Sequence, residues 1–201
     1  MELMKKTLFI LFVTFSTIAS AQNTVANTAT DISPLLIGEK IPNQTLKSAD
    51  NKDVRLSDLV GKKKTVLVFY RGGWCPYCNL HLANLAQIED QVLAEGYQVI
   101  AVSPDSAENL KITEGKDKVK YTLLSDSKGE LSSAFGISYK APQNYKSVIN
   151  VHSNGVNKDF LPVPSVFVVD TEGVILFEYI SPDYKNRISS ELLLSVLKNL
   201  K

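Results

Sequence analysis

The chain has 201 residues, with 22 Lys and Arg against 21 Asp and Glu, a formal net charge of +1 and 44% hydrophobic residues. That length and composition suit one globular domain with a substantial core. A near-neutral chain has no long-range field to gather nucleic acid or anionic lipid, so neither partner is expected.

The chain opens with Lys5 and Lys6, an apolar run from Thr7 to Ile18, and Ala19-Ser20-Ala21. A basic start, a dozen apolar residues and a small-x-small site predict a secretory signal over residues 1–21. The run is shorter than the roughly 20 residues a membrane span needs, so no stable membrane insertion is expected after cleavage. Export to the periplasm or medium is the expectation. Removing Lys5, Lys6 and Glu2 with the signal leaves 20 basic and 20 acidic side chains.

Residues 22–35 are small and polar and read as a flexible lead-in to a domain over 36–201. Alternation around Leu46 and Val54, with Ala49-Asp50-Asn51-Lys52 between, predicts a hairpin. A short helical turn at Ser57–Val60 stops at Gly61. Thr65–Tyr70 is nearly all apolar, as expected of a central strand covered on both faces. Leu82, Leu85, Ile88 and Val92 recur at helical spacing, predicting a helix from Pro76 to about Glu95 that ends at Gly96.

Tyr97–Val102 reads as a second buried strand, and Ser103–Ser106 as a turn capping a helix that runs to Lys116. An edge-like strand at Tyr121–Leu124 and a helix from Lys128 to Phe135, capped by Ser125-Asp126-Ser127, follow. Ile137–Leu161 has little periodicity and reads as a long functional or mobile loop. A hairpin of Ser165–Asp170 and Val174–Tyr179, then a helix with Ile188, Leu192, Leu193, Val196, Leu197 and Leu200 as its apolar stripe, close the chain. Strands alternating with helices predict an α/β sandwich: a central β-sheet flanked by helices.

The chemistry centres on VLVFYRGGWCPYCNLHL, residues 66–82, which holds the only two cysteines, Cys75 and Cys78. A strand delivering Cys-x-x-Cys to a helix start points to dithiol redox chemistry. Pro76 suits the first helical position, placing Cys75 at the N-cap and Cys78 in the first turn. Unpaired amides and the helix dipole favour a thiolate there. A purely structural bridge this short would contribute only about 2 kcal/mol, against about 3 for a 15-residue loop.

Arg71 could add a positive charge beside the pair, and Trp74 and Tyr77 could shield it or offer a docking surface. Equally, Arg71 could be an exposed strand-end charge and Trp74 a packing residue. A closed zinc site needs four ligands and the chain offers only His81 and His152 besides the cysteines. Haem attachment needs His directly after the second cysteine, where Asn79 stands. No cofactor and no metal are expected. Cu(I) bound by Cys75, Cys78 and His152 is a remote third reading.

From about Gly38 to Leu200 the chain resembles the peroxiredoxin (alkyl hydroperoxide reductase/thiol-specific antioxidant) family of the thioredoxin-like superfamily. The resemblance is carried by IGEKIPNQTL, LSDLVGKKKTVLVFYRGGWCPYC, VIAVSPDS, YTLLSDSKGELSSAFGI and VPSVFVVDTEGVI. It implies a thioredoxin-like fold and antioxidant thiol chemistry, with hydroperoxide reduced at Cys75/Cys78 and an external, thioredoxin-type thiol as reductant.

The family's peroxide-attacking cysteine falls on Cys78, in a Pro-x-x-x-Thr-x-x-Cys pattern with Arg71 at the Pro position and Cys75 at the Thr position. Its activating arginine falls on Pro164. These replacements are those of thioredoxin, in which Cys75 would attack and Pro164 would be the cis proline, leaving the Val163 backbone free for a substrate chain. Thioredoxin's buried acid corresponds to Phe69. The resemblance therefore leaves open a protein disulfide as alternative substrate, and which cysteine strikes first.

Overall fold

The computed structural model describes residues 25–116 and 120–200. The export signal expected over residues 1–21 lies outside them. Its centre is strand β3 (Lys64–Phe69), flanked in the sheet by β4 (Tyr97–Ser103) and β8 (Ser165–Val169). The β3 side chains alternate between two cores, as the two-residue period of a strand requires. Val66 and Val68 face Leu82, Leu85 and Val92 of helix α2 (Pro76–Ala94) and Leu193 and Leu197 of α6 (Ser190–Asn199). Leu67 and Phe69 face the opposite core, with Leu56 and Val60 of α1 (Leu56–Val60) and Leu131 of α4 (Glu130–Ala134). Phe69, Phe135 and Phe167 pack there with ring centroids 4.8 to 6.0 Å apart.

The seven-stranded sheet is completed by β1 (Thr45–Ser48), β2 (Asp53–Arg55), β5 (Thr122–Ser125) and β9 (Ile175–Ile180), in the order β2-β1-β5-β4-β3-β8-β9. Strands β3, β4 and β5 run parallel, with α2 and α3 (Ala107–Lys116) as crossovers; the other pairings are antiparallel. This is the thioredoxin-like α/β sandwich the sequence led us to expect. Among the described residues no helix is long and apolar enough to cross a membrane.

Three expectations are corrected. Strand β5 is not an edge: the β1–β2 hairpin pairs outside it. The lead-in is docked where it is described. Ala26 bridges to Tyr139, and the Ser33 and Leu35 amides donate to the Gly136 and Phe135 carbonyls at 3.1 Å each. Gly136 (φ +68°) permits this because a Cβ there would strike the Ser33 carbonyl.

Third, residues 137–161 are structured. They form β6 (Ser138–Lys140), a 3-10 turn (Gln143–Tyr145), α5 (Lys146–His152) and, with β6, an antiparallel ribbon through β7 (Phe160–Pro162). Three-residue strands are too short to show a period. Side-chain bonds hold them instead: buried Asn157 donates to the Phe160 carbonyl at 2.9 Å and accepts the Asp159 and Phe160 amides at 3.2 and 3.1 Å. The ribbon's small core of Tyr139, Ile149, Leu161 and Val163 carries Trp74 and Tyr145 on its flank.

Candidate active site

Strand β3 leaves the sheet at Tyr70, whose amide donates to the Val102 carbonyl at 3.0 Å. The chain then turns through Gly72 (φ +138°), where a Cβ would meet the Trp74 indole and Asp105 Oδ1. Two residues staple the turn. The Gly73 amide donates to Asp105 Oδ2 at 2.7 Å, and Asn79 Nδ2 donates to the Gly73 carbonyl at 2.9 Å. Cys75 then caps α2 with extended backbone, Pro76 stands in the first turn, and the Cys78 and Asn79 amides both donate to the Cys75 carbonyl at 3.0 Å. The placement expected of Cys75, Pro76 and Cys78 is the one observed.

Both cysteines are free thiols and both are buried. Their side chains share one hydrogen bond, which splits their acidities. Accepting it from Cys78 is the largest influence pulling Cys75 down to about 6, against the opposing effect of burial and with help from Arg71 and Arg187. Burial pushes the Cys78 thiol well above its ordinary value, and donating to Cys75 pushes it further. Cys75 is the thiolate and Cys78 the thiol that steadies it.

Arg71 is not an exposed strand-end charge; it is 1% exposed. Its guanidinium lies 4.2 Å from the Tyr184 ring centroid, 4.3 Å from Tyr145 and 5.0 Å from Trp74. The ring faces offer it a cation–π environment in place of water. No described carboxylate forms an ion pair with it, so its charge remains available to Cys75. Trp74 thus belongs to the aromatic cage, 5.5 Å from Tyr145 between ring centroids.

A second guanidinium comes from the segment between β9 and α6. Arg187 Nη2 lies 3.6 Å from Cys78 Sγ, and Nη1 donates to the Asn186 carbonyl at 2.8 Å and to that of Tyr184. Beside it a groove of about 590 Å³, lined by Tyr77, Leu80, His81, Tyr179, Ser181 and Arg187 among others, opens to the surface. Burial lowers His81 to about 4, so it is neutral at pH 7.

Pro164 departs from the thioredoxin-like expectation. No peptide bond among the described residues is cis. The Val163 backbone is not free either: its amide donates to the Ile137 carbonyl at 2.8 Å, and its carbonyl accepts Ser165 Oγ at 2.8 Å. Ile137, just before β6, takes the amide that a substrate strand would need. Among the described residues no three His, Cys, Asp or Glu side chains converge as metal ligands. His152 Nδ1 instead lies 3.8 Å from Asp105 Oδ1.

Four site residues were missed from sequence: Asp105, Tyr145, Tyr184 and Arg187. Asp105 sits in a Ser-Pro-Asp-Ser run that reads as a turn, yet it is 1% exposed and burial raises it to about 7. Tyr145 and Tyr184 lie in stretches without period, and Arg187 directly precedes an apolar stripe. No local pattern marks any of the four; only the fold brings them to the dithiol.

Known proteins resemble this chain in sequence and in fold. Residues 37–177 match the family model described as the AhpC/TSA family. Peroxiredoxin Bcp of Escherichia coli (strain K12) is 26% identical over 167 residues, 83% of this chain and 98% of its own. Two solved structures share the fold. Peroxidoxin BcpB from Mycobacterium tuberculosis has a TM-score of 0.66 at 19% identity, covering 82% of this chain and 97% of that one. Reduced Prx3 from Vibrio vulnificus in complex with H2O2 has a TM-score of 0.70 at 20% identity, covering 81% and 99%. By sequence and by fold, this chain belongs to the AhpC/TSA family.

Proposed function

We propose that the protein is a thiol-dependent peroxidase of peroxiredoxin type that cycles Cys75 and Cys78 between dithiol and disulfide. The observation that carries the reading is a Cys75 thiolate, drawn down to about 6, at a helix N-cap beside two guanidiniums. The thiolate attacks the terminal oxygen of a hydroperoxide, the O–O bond breaks, and the alkoxide leaves and takes a proton from solvent to become the alcohol. Cys75 becomes a sulfenic acid. Cys78 then attacks its sulfur, hydroxide leaves and takes up the Cys78 proton as water, and the Cys75–Cys78 disulfide closes. An external dithiol of thioredoxin type supplies two electrons and two protons to reopen it. The relatives' names and the peroxide in the Vibrio vulnificus Prx3 structure support hydroperoxide as the substrate class.

Although the family's attacking cysteine falls on Cys78, the electrostatics favour Cys75 as the first nucleophile. Mixing reduced protein with hydrogen peroxide and following free thiols tests the function. We expect a second-order rate at least a thousandfold above that of free cysteine; a rate equal to free cysteine overturns the reading. Reduction of a protein disulfide is the second reading, favoured by the cysteine in place of the family's threonine. The occupied Val163 backbone counts against it, and turnover of a scrambled disulfide protein measures it.

We also infer that the protein acts after export, on the strength of the basic start, apolar run and Ala19-Ser20-Ala21 of its first 21 residues. Fractionation of the source cells, with N-terminal sequencing of the recovered chain, tests this; an intact Met1 in the cytosolic fraction refutes it.

A further inference from the structure

The peroxidase cycle needs two nucleophiles in succession, and the site holds two guanidiniums. Arg71 belongs to the aromatic cage; both guanidiniums act on Cys75, but only one has direct contact with Cys78. Arg187 points Nη2 at Cys78 Sγ, 3.6 Å away. It is anchored by the carbonyls of Tyr184 and Asn186, neutral groups that fix its direction without cancelling its charge. Its Nε is buried without a partner, and no described carboxylate forms an ion pair with it. The family's own activating arginine is absent, since Pro164 stands at its position.

From this geometry we infer that Arg187 is the catalytic residue of the second step: it arms Cys78 once Cys75 has been oxidised. This rests on the proposed order in which Cys75 strikes first. In the dithiol state the negative charge sits on Cys75, and the Cys78 proton is held between the two sulfurs. When Cys75 becomes a neutral sulfenic acid or mixed disulfide, that charge disappears. The two influences by which Cys75 opposed ionisation of Cys78 vanish with it, while Arg187 stays in place. Burial, the largest influence against ionisation of Cys78, remains; the guanidinium 3.6 Å from Sγ is what offsets it, and the Cys78 thiolate attacks Cys75 sulfur. The S–S bond forms, the Cys75–O bond breaks, and hydroxide leaves to become water with the proton Cys78 gave up. The resolving cysteine is thereby kept inert until it is needed.

Closure can be timed without peroxide. Reduced protein is mixed with 5,5′-dithiobis(2-nitrobenzoate): Cys75 displaces one thionitrobenzoate and forms a mixed disulfide, and Cys78 displaces the second as the Cys75–Cys78 bond forms. Absorbance of the released anion gives both rates. For Arg187→Met we expect the second release to slow at least tenfold, and the first, which Arg187 also assists through its charge near Cys75, to slow by a clearly smaller factor. Arg187→Lys, which restores a cation, should recover most of the second rate. The Cys78→Ser chain should release only the first anion. With hydrogen peroxide, Arg187→Met should accumulate a sulfenic acid that a 1,3-dione traps. An unchanged second release in Arg187→Met overturns the inference, and so does equal slowing of both releases. Failure of the protein to consume peroxide faster than free cysteine, with closure still dependent on Arg187, would instead remove the peroxidase reading and leave this one standing.

Discussion

Arg71 and Tyr184 meet across 113 positions of the sequence, guanidinium carbon 4.2 Å from ring centroid, with Tyr145 at 4.3 Å and Trp74 at 5.0 Å from the same cation. The rings keep a buried positive charge tolerable without an anion of its own. What that charge does is therefore felt at Cys75. Replacing it by Arg71→Met should raise the Cys75 pKa from about 6 by roughly one unit, the lower end of the effect of a nearby opposite charge. Thiolate absorbance near 240 nm against pH measures it; an unmoved midpoint would show the cation to be a packing element only.

The shared hydrogen bond makes a sharper distinction. Cys78 lowers Cys75 chiefly by donating to it, so the donor matters more than the sulfur. Cys78→Ala removes the donor and should carry the Cys75 midpoint up toward the ordinary thiol range. Cys78→Ser keeps an O–H and should hold it lower. Because the thiolate is the reactive form, the rate of Cys75 alkylation in the wild type should rise with pH through about 6 and level off above 7. Identical midpoints in the two variants would sink this account.

How much of this was legible beforehand depends on the length scale of the signal. Helix α2 announced itself through Leu82, Leu85 and Val92, and its start through Pro76, because a repeating contact leaves a repeating residue. The helix expected from Lys128 starts instead at Glu130 with Gly129 as its N-cap, although Asp126 does serve it: its carboxylate accepts the Leu131 and Ser132 amides at 3.0 and 2.8 Å. Strand β5 read as an edge because nothing in Thr122–Ser125 encodes that the β1–β2 hairpin will pair beside it. The dithiol was plain, but its cage was not, since Tyr145, Tyr184 and Arg187 reach it only through tertiary folding. Pro164 misled because a thioredoxin-like position implied an open backbone, while Ile137, at the start of an aperiodic segment, already takes the Val163 amide.

That segment depends on one side chain. Asn157 makes three hydrogen bonds, two of them buried, to backbone groups of Asp159 and Phe160. Asn157→Ala leaves those groups unpaired and should cost about 2–3 kcal/mol, read from urea unfolding. Since the β6–β7 ribbon supports Trp74 and Tyr145, the emission of Trp74, the sole tryptophan, should shift in the folded variant. An Asn157→Ala protein with wild-type stability and emission would mean the ribbon is held by its apolar core alone.

Asp105 ties the cysteine turn to the end of β4, and its protonation should be written into stability. Burial raises its folded-state pKa to about 7 from an ordinary 3.8. Below about 3.8 the carboxyl is neutral folded and unfolded, and its contribution to stability is fully present. As pH rises the unfolded chain ionises first, so stability is lost progressively until about 7 and no further above it. At about 1.4 kcal/mol per unit the whole loss is up to roughly 4 kcal/mol. Asp105→Asn keeps an oxygen to accept the Gly73 amide but has no proton to lose. Its stability relative to wild type should therefore climb between pH 4 and 7 and then stay level. Asp126, raised to about 6 by burial, titrates in both proteins and cancels from the comparison. Urea midpoints at pH 4, 5.5, 7 and 8 decide the matter: a difference between the two proteins that does not vary with pH would mean that Asp105 carries its charge into the fold without cost, compensated by the Gly73 amide and by His152 at 3.8 Å.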